Sequence, residues 1–225
     1  MLLVAVARPR SGLDGEVGCW PLDETIPAEC TSKNRPAGTP VLSTVAVPKP
    51  VYRDLLLNQL LPAIKRQWVR ANGDVNGTIY VQQDNARPHI SVDDAEFVQA
   101  AAYGGWKIQL MCQPPQSPDL NVLDLGFFNS IQALQQQMEC RSIEELVCAV
   151  DESFKALPHA TLEKTFQTWK RIMRVVASIK GDNKYKMPRS VSTEDDVIAL
   201  EMMNLRLEEE DRMNEIADLV SILTV

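Results

Sequence analysis

The chain predicts an α/β fold in which a sheet layer is followed by a helical extension, and three observations carry that expectation. Short apolar, β-branched runs lie at residues 1–7, 39–48, 78–84 and 106–113. Helical spacing of apolar residues alternates with them at 51–70 and 91–105. From about residue 121 onward the pattern is helical throughout. At 225 residues and 45% hydrophobic content the chain can bury a sizeable core, and disorder of the whole is excluded.

Taken in order, MLLVAVA reads as a buried strand. It is too short to span a bilayer and has no basic segment before it, so it is neither an anchor nor a signal peptide. A chain that opens inside a core strand suggests a domain cut short at its amino end. Gly12, Asp14 and Gly15 supply turn chemistry for a β-hairpin. TPVLSTVAVP is extended until Pro48 and Pro50 end it. Residues 51–70 form a helix that Pro62 should kink or break, and Asn72 and Gly73 stop it. TIYVQQD is the next strand, SVDDAEFVQAAAYGG a helix of about four turns, and WKIQLMCQ a strand again. PPQSPD is a rigid loop. Helices follow at about 121–138, at 142–156 with Ser142 and Glu145 as a capping box, and at 160–179. From about Glu194 an acidic helix is expected, with Ile198, Met202, Leu205, Ile216, Leu219 and Leu223 roughly on one side, although Glu209 and Arg212 interrupt the stripe.

The formal charge is −7, unevenly spread. Residues 191–225 hold 10 acids and 2 bases, so the rest is near neutral. Residues 160–190 carry a net +6, including Lys170, Arg171 and Arg174, which makes this stretch a candidate phosphate contact or else a solvated basic helix face. The five cysteines have no C-x-x-C spacing and are odd in number, which points away from zinc sites and disulfide frameworks and toward a reducing compartment, nuclear or cytoplasmic.

Two acids stand where a metal ligand would be useful. Asp84 ends a strand-like run, and Asp124 follows the Pro-rich loop at the opening of a helix, with 39 residues between them. Carboxylates on rigid elements at one sheet edge suit Mg²⁺ or Mn²⁺, hard cations that prefer oxygen. Each acid also has a structural reading. Asn121 with Asp124 reads as a helix cap with an acidic first turn, and Asp84-Asn85 as a turn closing a strand. Asp119 reads as a loop acid, and Phe127 and Phe128 as packing behind Asp124.

The segments ARPR with its hairpin, NRPAGTP, QQDNARPH, QPPQSPDLNVLDLGFFNSIQ and NKYKMPR together resemble the catalytic core of mariner-like transposases, in the plant-type branch whose last two acids are 39 residues apart. The resemblance spans residues 5–189. It implies an RNase H-like mixed sheet flanked by helices, in which three carboxylates hold two divalent ions for cleavage and joining of DNA. It makes Asp84 the second acid and Asp124 the third, both catalytic and metal-binding, and sets His89 near the active site, in contact with DNA phosphate or in a structural hydrogen bond. The first acid would lie on a central strand beside Asp84, preceding residue 1. Asp14 and Asp23, the nearest acids, fall in and beyond the hairpin. The expected organisation is a truncated core over 1–140, a helical extension over 141–190 and an acidic tail over 191–225. The expected partners are DNA and a second copy or a full-length transposase, with no membrane. The carboxylates of Asp84 and Asp124 are expected to face one another.

Overall fold

A computed structural model describes residues 2–33, 35–72, 77–181, 184–185 and 218–224, and the fold is mixed α/β. β1 (Leu2–Ala7) and β2 (Glu16–Pro21) form the expected hairpin. Its turn needs glycine: at Gly15, with φ +92°, a Cβ would come within 2.5 Å of the Ala7 carbonyl oxygen. β3 (Asp23–Pro27) and β4 (Pro40–Thr44) pair as a separate antiparallel ribbon.

Helix α1 (Lys49–Leu55) passes through a π turn at Leu56–Leu60 into α2 (Leu61–Asn72). The kink or break expected at Pro62 is absent. The widened turn, in which the Leu61 N–H reaches back to the Leu56 carbonyl, lies just ahead of the proline, where its missing N–H and bulky ring would disturb an α-turn, so the helix carries through. β5 (Thr78–Gln83) and β6 (Lys107–Cys112) run parallel, as a crossover requires. Between them α3 (Ala95–Ala102) makes just over two turns rather than four. The Asp94 carboxylate, gripped by Arg53 at 2.7 Å, accepts the Phe97 N–H and starts the helix late. Tyr103 is extended and Gly104 and Gly105 have positive φ, which end it early.

A 3₁₀ turn (Pro118–Leu120) and a second π turn (Leu123–Phe127) lead into α4 (Phe128–Gln135). α5 (Ile143–Ala156) opens as expected: Ser142 Oγ accepts the Glu145 N–H at 3.1 Å, and the Glu145 carboxylate accepts the Arg141 N–H at 2.6 Å. α6 (His159–Ser178) follows.

The acidic segment holds the main correction. Leu219 and Leu223, expected on a helix, lie on a strand, β7 (Asp218–Thr224), in the middle of the large sheet. The run DLVSILT is apolar and partly β-branched, and two open ladders flank it, so pairing overrides the weak helical stripe. Ile198, Met202, Leu205 and Ile216 lie outside the described residues. The sheet order is β2-β1-β7-β5-β6, with β7 antiparallel to β1 and parallel to β5.

Helices cover both faces of this sheet. Leu3, Ala5, Ile79 and Val81 pack with Tyr52, Leu60 and Ile64 on one side. Val4 and Val6 pack with Leu123, Phe127, Phe154 and Phe166 on the other. The helices of residues 141–190 thus share the core of the sheet.

Candidate metal centre

Asp84 is the first residue past β5, as its sequence position predicts. Its loop is a compact hydrogen-bonded unit: the Ala86 N–H donates to Asp84 Oδ1 at 2.8 Å, and the His89 N–H to the Ala86 carbonyl at 3.0 Å. His89 Nδ1 lies 2.8 Å from Asp84 Oδ1 and 2.9 Å from the Asp84 carbonyl oxygen. Both neighbours are acceptors, so Nδ1 carries the hydrogen. The ring stacks on Tyr52 at 4.3 Å between centroids, and its side chain is 3% exposed against 29% for Asp84. This corrects one of the two roles expected for His89. A side chain so buried and so engaged orients Asp84 and cannot reach a DNA phosphate. Its Nε2 is buried with no hydrogen-bond partner among the described residues.

A buried polar chain supports this loop from behind. Tyr52 donates to Gln83 Oε1 at 3.1 Å, and Gln83 Nε2 donates to the Ile90 carbonyl at 2.7 Å. Burial first, then the Asp84 charge, push the Tyr52 phenol far up, so it is a donor at any ordinary pH.

Asp124 arrives by another route. Asn121 Oδ1 accepts the Leu123 N–H at 3.0 Å, and Asn121 Nδ2 donates to Asp124 Oδ2 at 3.0 Å. The cap reading is therefore realised by Asn121, and it is compatible with a free face on Asp124, whose side chain reaches solvent. Partial burial, and after it the charge of Asp84, raise the Asp124 carboxyl above the usual range, with the Asn121 hydrogen bond opposing. The two acids are close enough to feel one another. That repulsion is the electrostatic signature of a place for a cation.

Four hydrogen bonds tie the two motif segments together. The Gln113 N–H donates to the Gln83 carbonyl at 2.8 Å, and Asn85 Nδ2 to the Gln113 carbonyl at 2.8 Å. Gln82 Nε2 and Trp169 Nε1 both donate to the Leu120 carbonyl, at 2.8 and 2.9 Å. The roles of Gln82, Gln113 and Trp169 were not read from the sequence. Their only signal there was polar residues inside an apolar strand and beside a Pro-rich loop. Asp119 accepts the Tyr185 hydroxyl at 3.0 Å, which ties the NKYK segment to the same loop.

The donor set fits one hard cation. Both hydrogen bonds to the Asp84 side chain fall on Oδ1 and the Asn121 bond falls on Asp124 Oδ2, which leaves one oxygen of each carboxylate for an ion that keeps its remaining waters. Among the described residues no group of three or more His, Cys, Asp or Glu is placed to hold a metal. A depression of about 590 Å³ beside the hairpin turn, lined by Arg10, Asp14, His159 and Glu163, shares no residue with the pair.

The expected phosphate contacts are on α6. Lys170, Arg171 and Arg174 are half-buried and each engages another group. Burial lowers the Arg171 pKa. Lys164 and Lys180 are the exposed bases of that helix and its end. No described helix is long and apolar enough to cross a membrane.

Comparison with protein-family models, with curated proteins and with solved structures finds no match.

Proposed function

We propose that this chain is a transposase-derived, RNase H-like domain of the mariner-like kind. Its ancestral chemistry is divalent-metal-dependent cleavage and joining of DNA strands, and the residues described hold one ion weakly between Asp84 and Asp124. The observation that carries this reading is the hydrogen-bonded junction of QQDNARPH with QPPQSPDLN, which gathers two mutually repelling carboxylates at one sheet edge.

A bound Mg²⁺ or Mn²⁺ would supply Lewis-acid charge at a phosphodiester oxygen and acidify a water. The rest of the work falls to the protein. Asp84 and Asp124 each offer one carboxylate oxygen. His89 holds the Asp84 carboxylate from behind, and Asn121 holds Asp124 in the first turn of its helix. Two carboxylates support one ion and not the bridged pair that clamps both attacking and leaving oxygens, so strand cleavage by these residues is absent.

Titration with Mn²⁺ followed by electron paramagnetic resonance tests the reading. Wild-type protein should bind weakly, and Asp84→Asn and Asp124→Asn should each remove the binding. No cleavage of DNA carrying mariner-type ends is expected with Mg²⁺ or Mn²⁺. Retained Mn²⁺ binding in both variants would refute the site. Metal-dependent cleavage abolished by either would refute the inactivity.

A second reading, a non-catalytic module that binds DNA, a second copy or a full-length transposase, draws on the exposed Lys164 and Lys180. DNA binding that weakens steeply between two salt concentrations, unaffected by Asp84→Asn, would favour it.

A further inference from the structure

Among the described residues the large sheet consists of two hydrogen-bonded halves, β2-β1 and β5-β6, and β7 alone joins them. Neighbouring strands lie ~4.8 Å apart, so a strand between β1 and β5 holds them about twice that distance from each other. Each half carries one carboxylate. Asp84 leaves the end of β5. Asp124 rides on the π turn whose Leu123 and Phe127 pack against Val4 and Val6 of β1. The separation of the two acids is thus measured across β7, which also runs beside that π turn.

The register adds a second, independent fact. β7 runs parallel to β5 with Ser221 opposite Gln82, so two residues further on position 223 stands beside Asp84. On its other side position 223 is paired with Val4. Paired positions share a face of the sheet. Val4 belongs to the core that contains Leu123 and Phe127, and Gln82 reaches the Leu120 carbonyl on that same side. Both ladders therefore put position 223 on the face and at the end of the sheet where Asp84 and Asp124 gather.

We propose that β7 is the assembling strand of the metal site: it enters between β1 and β5, sets the spacing of Asp84 and Asp124, and makes residue 223 the position that determines how tightly the site holds a divalent cation. Leucine offers no ligand atom, so β7 completes the sheet without completing the ligand set. The proposal rests on the two-carboxylate reading and deepens it by naming a third position and the strand that governs all three.

The test uses the full chain, with Mn²⁺ as the probe. Leu223→Asp should bind Mn²⁺ about ten-fold more tightly than wild type, because affinity for a hard cation follows the number of charged oxygen ligands. Thr224→Asp adds the same charge one residue on, on the opposite face, and should leave the affinity within about two-fold. Leu223→Asn, which adds an oxygen without a charge, should fall between. Equal gains at 223 and 224, or no gain in either 223 variant, would overturn the proposal.

A second measurement does not depend on metal. In Ser221→Pro, which removes a donor from the middle strand, amide hydrogen exchange should accelerate in β1 and β5 together. Unchanged protection of both would overturn the joining role. The two levels of inference separate cleanly. If Mn²⁺ binding, both wild-type and gained, survives Asp84→Asn, the two-carboxylate reading fails. If wild-type binding needs both acids and Leu223→Asp adds nothing, only the inference about β7 fails.

Discussion

Asp84 and Asp124 reach one sheet edge on different kinds of support. Asp84 sits on a short loop whose geometry is written in hydrogen bonds, from Ala86 and His89 at the carboxylate back through Gln83 and Tyr52. Asp124 sits on a helical turn whose geometry is written in packing, with Leu123 and Phe127 sunk into an aromatic core and a single side-chain bond from Asn121. Polar support is directional but locally costly to disturb, because any partner removed leaves a buried group unsatisfied. Packed support is less directional and carries more of the stability.

The largest expected effect tests the packed side. Phe127 is 2% exposed and meets Phe128 and Phe154 edge-on at 5.6 and 5.8 Å. Phe127→Ala should cost about 3–5 kcal/mol in urea unfolding and loosen Asp124 with it. A cost under about 1 kcal/mol would mean that packing does not fix this helix.

His89→Ala tests the polar side. Losing the Tyr52 stack and the bond to Asp84 should cost about 1–3 kcal/mol. Mn²⁺ affinity should fall further than in a surface variant of equal stability cost, since the Asp84 carboxylate loses its fixed direction. His89→Gln, which can still donate to Asp84, should restore part of the affinity. A loss of stability with affinity untouched would make His89 a packing residue only.

Asn121→Ala removes one cap and one carboxylate contact, at a cost of about 1 kcal/mol, and should be felt more in metal affinity than in stability.

The smallest effect is in pH. The Asp124 carboxyl is raised in the folded state by burial and then by Asp84. Between the ordinary carboxyl value and the raised one, the folded protein binds more protons than the unfolded chain, so stability falls as pH rises through that window. Asp124→Asn should therefore equal wild type near pH 3 and exceed it near pH 7, in metal-free buffer, by about 0.5 kcal/mol or less for so exposed a group. Glu16, raised to about 7 by burial and then by Asp14, should follow the same rule more visibly. Glu16→Gln should gain stability between pH 4.5 and 7 and keep that gain above it.

Local chemistry was legible in the sequence wherever a short rule governed it. The β1–β2 hairpin, the Ser142 cap and the position of Asp84 at a strand end all follow from residues within a few places of one another. The length of α3 was not, because Arg53, far away in sequence, holds the Asp94 carboxylate and sets where that helix starts. β7 was the hardest case. Its helical stripe was real but weak, and nothing near it in the chain discloses two open ladders, one near residue 4 and one near residue 81. The burial of His89 likewise depends on Tyr52, a partner in another element.

The π turn at Leu123–Phe127 has a consequence for counting. A π turn closes its hydrogen bonds over five residues where an α-turn uses four, so the segment carrying Asp124 behaves as a helix with one residue inserted. Deleting a single residue there would let the segment rewind as a regular helix and rotate everything after it by about 100° relative to Asp124. Phe128, Ile131 and the rest of α4 would then address the sheet with the wrong side. The interval of 39 residues between the acids is thus only half of a spacing rule. The other half is the helical phase that joins Asp124 to the core beneath it, and two chains with the same interval could still differ in it.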